Sequence, residues 1–210
     1  GITIFFFFLV IKTEETEITL LDTPGHVDFS SETERTLQVL DYAILVISGT
    51  DGVQAHTVTL RKLLEAYNIP TFVFVTKMDY ARLSEDEIMA DLNKHCGNCI
   101  NFTSGDIDNR NENIAVTDES VLEKYLDSGI VSDEDISALI QARRFTPCFF
   151  GSGLKLEGID EFLSQLEKYI TIKEYSSDFG AKVFKISHDE KGERLAHLKI
   201  TGGSLKVKDV

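Results

Sequence analysis

The sequence has 210 residues, of which 42% are apolar and 27% charged, and its formal net charge is −14. This balance leaves room for one α/β domain and part of a second, and it excludes a chain that is disordered throughout. The acidic charge excludes a general nucleic-acid-binding surface, because binding by counterion release needs clustered Lys and Arg.

The three cysteines are Cys96, Cys99 and Cys148. An odd number in a chain of this length argues against a disulfide framework and for a reducing compartment, so we expect a cytoplasmic protein. Cys96 and Cys99, with His95 beside them, could begin a zinc site or a redox pair. A single C-x-x-C is a weak signal, however, and thiols in a loop are the favoured interpretation.

The first apolar segment, residues 2–11, contains four consecutive phenylalanines at 5–8. No Lys or Arg precedes it, no small-residue cleavage pattern follows it, and it is too short to span a bilayer. The pattern therefore favours a strand, and we expect no membrane partner.

Short β-branched and apolar runs then alternate with segments of helical periodicity. This alternation predicts βαβ units around a mostly parallel sheet flanked by helices. The predicted strands are residues 5–12, 17–22, 42–48, 70–76 and 146–151.

Capping residues and apolar stripes predict the helices. Ser84 with Glu87 forms a capping box, and Ser132 before Asp135 is a similar start. Apolar residues at i, i+3, i+4 and i+7 predict two more helices, at Leu60, Leu63, Leu64 and Tyr67 and at Ile159, Phe162, Leu163 and Leu166.

Two regions depart from this alternation. Residues 97–118 are rich in Asn, Asp, Gly and Ser, which predicts an exposed insertion. After residue 170 the pattern becomes β, with strands predicted at 181–187, 194–201 and 204–210 and a turn at 189–192. So few strands cannot close a barrel, so this second domain is expected to be incomplete.

The strongest chemical signal is Asp22-Thr23-Pro24-Gly25-His26, directly after an apolar strand. An acidic residue at the carboxyl end of a strand can hold Mg²⁺ through water, and Gly25 offers its backbone amide to a terminal phosphate. Alone, Asp-x-x-Gly is more often a turn than a site.

Two further elements follow apolar strands. In Thr76-Lys77-Met78-Asp79, the carboxylate can accept both N1–H and N2–H of guanine, which adenine cannot supply, and the Lys77 stem can pack across the purine. In Gly151-Ser152-Gly153-Leu154, the backbone amides can face the guanine oxygen. Open α/β sheets bind ligands at the carboxyl ends of their strands, so the three elements together indicate a GTPase that uses GTP, GDP and Mg²⁺.

These elements carry a family resemblance. Gly1-Ile2-Thr3-Ile4, DTPGHVDF at 22–29, TKMD and GSGL resemble the translational GTPases of the elongation factor G kind. Residues 21–57 are most similar to the tetracycline-resistance ribosomal protection proteins. The resemblance implies a P-loop-GTPase-like α/β fold, with a truncated GTP-binding domain at 1–172, an insertion near 97–145 and the beginning of a β-barrel domain at 178–210.

The resemblance also implies roles for single residues. Thr3 would bind Mg²⁺ and the attacking water, and His26 would orient that water when the ribosome, the implied partner, triggers hydrolysis. Asp22 would hold Mg²⁺ through water. A module that binds the ribosome or a protein without hydrolysing GTP is the alternative, and the choice between translocation and tetracycline resistance stays open.

The sequence departs from this family at its phosphate loop. G-x-x-x-x-G-K-[ST] is absent, since Ile159 and Asp160 follow the nearest match at residues 153–158. Without the loop and the strand before it, we expect this polypeptide to bind GTP weakly, to be inactive alone, and to self-associate through exposed strand edges. Thr76 also replaces the usual asparagine, which predicts some weakening of the guanine loop.

Overall fold

The computed structural model describes residues 7–12, 16–23, 30–103 and 105–207. In chain order the elements are β1 (Phe7–Lys12), β2 (Glu17–Asp22), α1 (Ser30–Leu37), β3 (Ala43–Ser48), α2 (Ala55–Ala66), β4 (Thr71–Thr76), α3 (Glu85–Cys96), β5 (Cys99–Asn101), α4 (Ile107–Ala115), α5 (Glu119–Ser128), α6 (Asp133–Gln141), β6 (Thr146–Phe150), α7 (Ile159–Tyr169), β7 (Gly180–His188) and β8 (Arg194–Gly202). They fall into two compact units, a larger one of Tyr42–Thr171 and a smaller one that combines Gly1–Asp41 with Ile172–Val210.

The larger unit is built on a parallel four-stranded sheet in the order β3-β4-β6-β5. Its central strands, TFVFVT and TPCFF, are buried along their whole length except at Thr76. Parallel strands covered by helices on both faces need such continuous runs of apolar and β-branched residues. The predicted α/β fold with a mostly parallel sheet is therefore confirmed.

The predicted helices are present, and their apolar stripes form the core. Leu64 of α2 and Phe162 and Leu166 of α7 are each about 5% exposed or less. Ile88 and Leu92 of α3 pack against the inner strands in one cluster. Burial of such side chains contributes roughly 1.5–3 kcal/mol each before the entropy of ordering is subtracted.

The capping box that starts α3 is present. The Ser84 amide donates to Glu87 Oε2 at 2.8 Å, and the Glu87 amide donates to Ser84 Oγ at 3.3 Å. Hydrogen bonds from the Ser84 backbone and then from its side chain hold the pKa of the Glu87 carboxyl below its usual value of 4.5. Because the folded pKa is the lower one, this stabilisation is present above pH 4.5 and is lost as the pH falls through the folded pKa.

We expect Ser84→Ala to lower the thermal unfolding midpoint by about 2–4 °C at neutral pH, since an N-cap is worth about 1 kcal/mol in a chain of this size. Glu87→Gln removes the titrating carboxyl group and should abolish the contribution of this residue to the loss of stability in acid. Unfolding followed by circular dichroism at several pH values measures both effects. An unchanged midpoint in Ser84→Ala would show that the cap does not stabilise the helix.

The segment 97–118 is only partly exposed, in contrast to the exposed insertion that its composition predicts. Cys99, Ile100, Phe102 and Ile114 are each at most 5% exposed. Two of its Asp residues cap helices: Asp106 accepts from the Asn109 amide at the start of α4, and Asp118 accepts from the Ser120 amide at the start of α5. That residues 97–145 are an insertion into a simpler domain stays a prediction.

The cysteines are likewise not loop thiols. All three are free and buried, Cys96 at the end of α3, Cys99 in β5 and Cys148 in β6. Burial, with Cys99 nearby, raises the pKa of the Cys96 thiol to about 11. A thiol with so high a pKa is almost entirely protonated at neutral pH and therefore inert.

The smaller unit contains two antiparallel hairpins and α1. β1 pairs with β2 from Phe7↔Asp22 to Lys12↔Glu17, so residues 7–12 pair within their own chain. β7 pairs with β8 across the predicted turn, where the Gly192 amide donates to the Asp189 carbonyl.

The strand predicted at 204–210 is wrong over its described part, 204–207. The ladder ends at Gly202 and Gly203. Gly203 has a φ of +59°, and a Cβ on Gly202 would overlap the Asp178 carbonyl, so the backbone turns there instead of extending.

Candidate guanine-binding site

The loops after β4 and β6 lie side by side at one edge of the parallel sheet. The two strands are hydrogen-bonded neighbours, so their carboxyl ends meet at the same edge. The Met78 amide donates to the Gly151 carbonyl at 3.1 Å, and the Gly151 amide donates to the Val75 carbonyl at 2.9 Å. The sequence elements TKMD and GSGL are therefore joined directly, as their predicted roles require.

Thr76 takes part in this junction through its side chain. Its hydroxyl oxygen accepts a hydrogen bond from the Gly153 amide at 3.3 Å. This contact is the bracing that a threonine hydroxyl can supply in place of an asparagine. Its length lies just beyond the usual range for N–H···O bonds, so the brace is weak.

We expect Thr76→Val to weaken the junction by about 0.5–1 kcal/mol, because it removes a hydrogen bond whose exposed Gly153 amide can bond to water instead. The longer side chain in Thr76→Asn should provide a stronger acceptor for the Gly153 amide and raise the affinity for GDP above that of the parent. Calorimetric titration of both variants in the full-length protein measures the difference. Equal affinities for parent, Val and Asn variants would show that position 76 does not brace the loop.

Lys77 has a strained backbone. Its φ is +62°, in the left-handed region that non-glycine residues rarely adopt and that costs roughly 1–3 kcal/mol. The side chain is exposed above the sheet edge. Strain of this kind persists where the surrounding structure fixes it, and here hydrogen bonds hold Thr76 and Met78 on either side.

Asp79 carries the most informative polar atom of the site. Its Oδ2 is buried and has no hydrogen-bond partner among the described residues. A buried carboxylate oxygen without a donor is costly, which makes it a candidate acceptor for a ligand that brings donors. The N1–H and N2–H groups of guanine are such donors, and the residue present fits that base.

The GSGL turn is tightly packed. Ser152 is fully buried, its amide donates to the Glu157 carbonyl at 3.0 Å, and its Oγ accepts from the Lys155 amide at 3.2 Å. The Ser152 amide is thus engaged within the turn and is not directed to a ligand, contrary to what the sequence predicts for it. The Gly153 amide already donates weakly to the Thr76 hydroxyl, so the Leu154 amide is the main candidate for the guanine oxygen. The Leu154 side chain is 78% exposed.

Sequence reasoning missed a third loop, which follows β3. The Gly49 amide donates to the Thr76 carbonyl at 2.8 Å, and a Cβ on Gly49 would lie 2.7 Å from Met78 Sδ. Hydrogen bonds from Ser48 and Thr50, and then the charge of Lys77, hold the pKa of the neighbouring Asp51 below its usual value. The run SGTDG after a buried strand is the signal that could have shown this loop.

The phosphate and metal part of the predicted site is only partly described. Asp22 is exposed at the end of β2, in the smaller unit. Thr3, Gly25 and His26 lie outside the described residues.

The described residues show neither a metal-binding cluster nor a membrane-spanning helix. They contain no group of three or more His, Cys, Asp or Glu side chains placed to hold a metal ion. None of their helices is long and apolar enough to cross a membrane.

A parallel sheet with polar loops gathered at the carboxyl ends of adjacent strands is the architecture of α/β nucleotide-binding domains. Comparison with known families is more specific. The model of the elongation factor Tu GTP-binding domain matches residues 1–172, and the chain belongs to that family.

Curated relatives agree with this assignment. The chain is 30% identical over 235 residues to the tetracycline resistance protein TetP of Clostridium perfringens and 31% identical over 234 residues to TetM from transposon Tn5251 of Streptococcus pneumoniae. Each alignment covers 100% of this chain and 36% of the relative. The predicted resemblance to tetracycline-resistance proteins is therefore confirmed, and the chain spans about a third of their length.

A solved structure shares the fold. A crystal structure of a protein from Thermus thermophilus superposes with a TM-score of 0.86 and 22% identity, over 99% of this chain and 39% of that one. At this identity the likeness concerns the fold.

Proposed function

We propose that this chain forms the guanine-binding part of a ribosome-dependent GTPase that acts in translation and converts GTP to GDP and phosphate. The observation that carries the proposal is the unpartnered, buried Oδ2 of Asp79, beside a loop that is hydrogen-bonded to GSGL. Family membership over residues 1–172 supports the same nucleotide.

In this proposal the base is held by three features. Asp79 accepts N1–H and N2–H, and the Lys77 stem covers one face of the purine. The Leu154 amide, and the Gly153 amide once it exchanges its weak bond to Thr76 for the base, face O6. This contact selects guanine over adenine because adenine carries an amino group at that position.

The remaining roles are assigned by resemblance. Asp22 would hold Mg²⁺ through water and Thr3 would bind it directly, while Gly25 would donate its amide to the γ-phosphate. Mg²⁺ would supply positive charge that neutralises the phosphate oxygens. His26 would orient the attacking water, which is catalysis by positioning.

The domain organisation and location are part of the proposal. The GTP-binding domain would occupy residues 1–172, and the β7–β8 hairpin would begin a β-barrel domain at 178–210. The three free, buried thiols favour a reducing compartment, so the cytoplasm is proposed as the site of action.

Phosphate release from GTP by the full-length protein, with and without ribosomes, tests the enzymatic proposal. We expect hydrolysis that rises with added ribosomes. Binding of GDP without any ribosome-stimulated hydrolysis would favour the second candidate, a binding module that has lost catalysis.

The names of the relatives favour tetracycline resistance over translocation. Expression of the full-length gene in a tetracycline-sensitive bacterium distinguishes the two. Growth at raised tetracycline concentrations is expected. Unchanged sensitivity, together with complementation of a translocation factor, would favour the other role.

A further inference from the structure

Two lysines of the β7–β8 hairpin meet the carboxyl end of α1 within the smaller unit. Lys182 and Lys199 are register partners on the two strands. Lys182 Nζ donates to the Gln38 carbonyl at 3.1 Å, and Lys199 Nζ donates to the Val39 carbonyl at 2.9 Å. Gln38 and Val39 directly follow Leu37, the last residue of the helix.

Lys199 has a second set of contacts. Its Nζ lies 2.6 Å from Asp41 Oδ2 and 6.0 Å from the centre of the Tyr175 ring, and the Tyr175 hydroxyl donates to Asp41 Oδ1 at 3.4 Å. The Lys199 side chain is only 23% exposed. The Asp41 side chain is 49% exposed, so salt still screens this ion pair in part.

This arrangement is not what the hairpin alone would favour. Like charges on directly opposed residues of an antiparallel pair repel each other. The carboxyl end of a helix carries a partial negative charge on its free carbonyls, and Asp41 adds a full one. The charges of the two ammonium groups are thus compensated when carbonyls at the end of α1 accept hydrogen bonds from both.

We propose that Lys182 and Lys199 are positioning residues that lock the carboxyl end of α1 to the β7–β8 hairpin, so that helix and hairpin move as one body. Ser30, the first residue of α1, follows His26 by four positions (30 − 26 = 4) in the sequence. Resting on the proposed function, the lock holds the helix that follows the DTPGH residues in the sequence. In the proposed function the loops after β4 and β6 bind guanine, so we expect the lysines to act on turnover and not on nucleotide affinity.

Hydrogen exchange of the 210-residue chain tests the lock without any nucleotide. We expect the double variant Lys182→Met, Lys199→Met to speed hydrogen exchange of the amides at 34–40 by roughly fivefold or more. The reason is that the lysine hydrogen bonds to the end of α1 oppose local unfolding of this helix. Lys199→Arg keeps the charge and should restore much of the protection. Lys191→Met, in the exposed turn of the same hairpin, is the matched control.

Unchanged exchange at 34–40 in the double variant would overturn the lock. So would an equal rise in the Lys191→Met control, because it would trace the effect to the hairpin as a whole.

Turnover of the full-length protein tests the positioning role. We expect the double variant to lower kcat by about tenfold or more with KM for GTP nearly unchanged, because misplacement of a reacting group lowers the rate and not binding. An unchanged kcat despite faster exchange would overturn that role. If the parent protein hydrolyses no GTP, the proposed function fails, and the exchange result still decides whether the lock exists.

Discussion

Replacement of Asp79 by Ala is expected to lower the affinity of the full-length protein for GDP by about a hundredfold or more. Two charge-assisted hydrogen bonds to guanine are lost, each worth roughly 1.5–3 kcal/mol. The buried Oδ2 has no other partner among the described residues, so no protein contact offsets the loss. Calorimetric or fluorescence titration measures the affinity.

Asp79→Asn tests the same contact through its effect on which base is bound. The new amide donates where guanine also donates, so GDP binding should fall, but xanthine presents a carbonyl oxygen at that place and should bind better. Asp127→Asn, an exposed acidic residue in α5, is the control that changes the same charge elsewhere. Loss of GDP binding without any gain for xanthosine diphosphate would show that Asp79 supports the loop without reading the base.

Gly151→Ala is expected to destabilise the larger unit by about 3 kcal/mol, because the site cannot accept another carbon without moving backbone. The added Cβ would overlap the Glu157 carbonyl and lie 2.9 Å from Phe74 Cζ. In a chain of this size such a loss lowers the thermal midpoint by about 6–12 °C. The substitution should also separate the loops after β4 and β6, since the Gly151 carbonyl accepts a hydrogen bond from the Met78 amide.

Thermal unfolding of Gly105→Ala provides the control for this substitution. Gly105 has no described atom within 4 Å of its ideal Cβ position, and its φ is not positive. Its midpoint should stay close to that of the parent. A Gly151→Ala protein as stable as Gly105→Ala would show that the turn repacks easily.

Elements with a strong local signal were predictable from the sequence. β2 matches its predicted bounds, Glu17–Asp22, because apolar and polar residues alternate along it. The capping box at Ser84 and the N-cap at Ser132 determine the starts of α3 and α6, since each hydrogen bond joins residues only three positions apart.

Features that depend on tertiary contacts were not predictable in this way. β5 has only three residues, and its conformation depends on its pairing with β6 and not on its composition. The burial of Cys99 follows from that pairing. Gly49 was missed because its importance lies in the closeness of Met78, a residue 29 positions away (78 − 49 = 29).

The candidate site was predictable where sequence order follows spatial order. Parallel neighbouring strands bring their carboxyl ends together, so TKMD and GSGL could be placed at one edge before their contacts were known. The direction of single amides could not be predicted, because the Ser152 amide donates within its own turn.

The central claim is that the loops after β4 and β6 recognise guanine. Its most direct test is the chemical-shift response of backbone amides in the 210-residue chain to GMP and AMP, up to about 10 mM so that a millimolar Kd is detected. We expect GMP, and not AMP, to shift the amides at 76–79 and 151–154, with Asp79→Asn abolishing the response. Equal responses to the two nucleotides, or shifts confined to other parts of the chain, would contradict the claim.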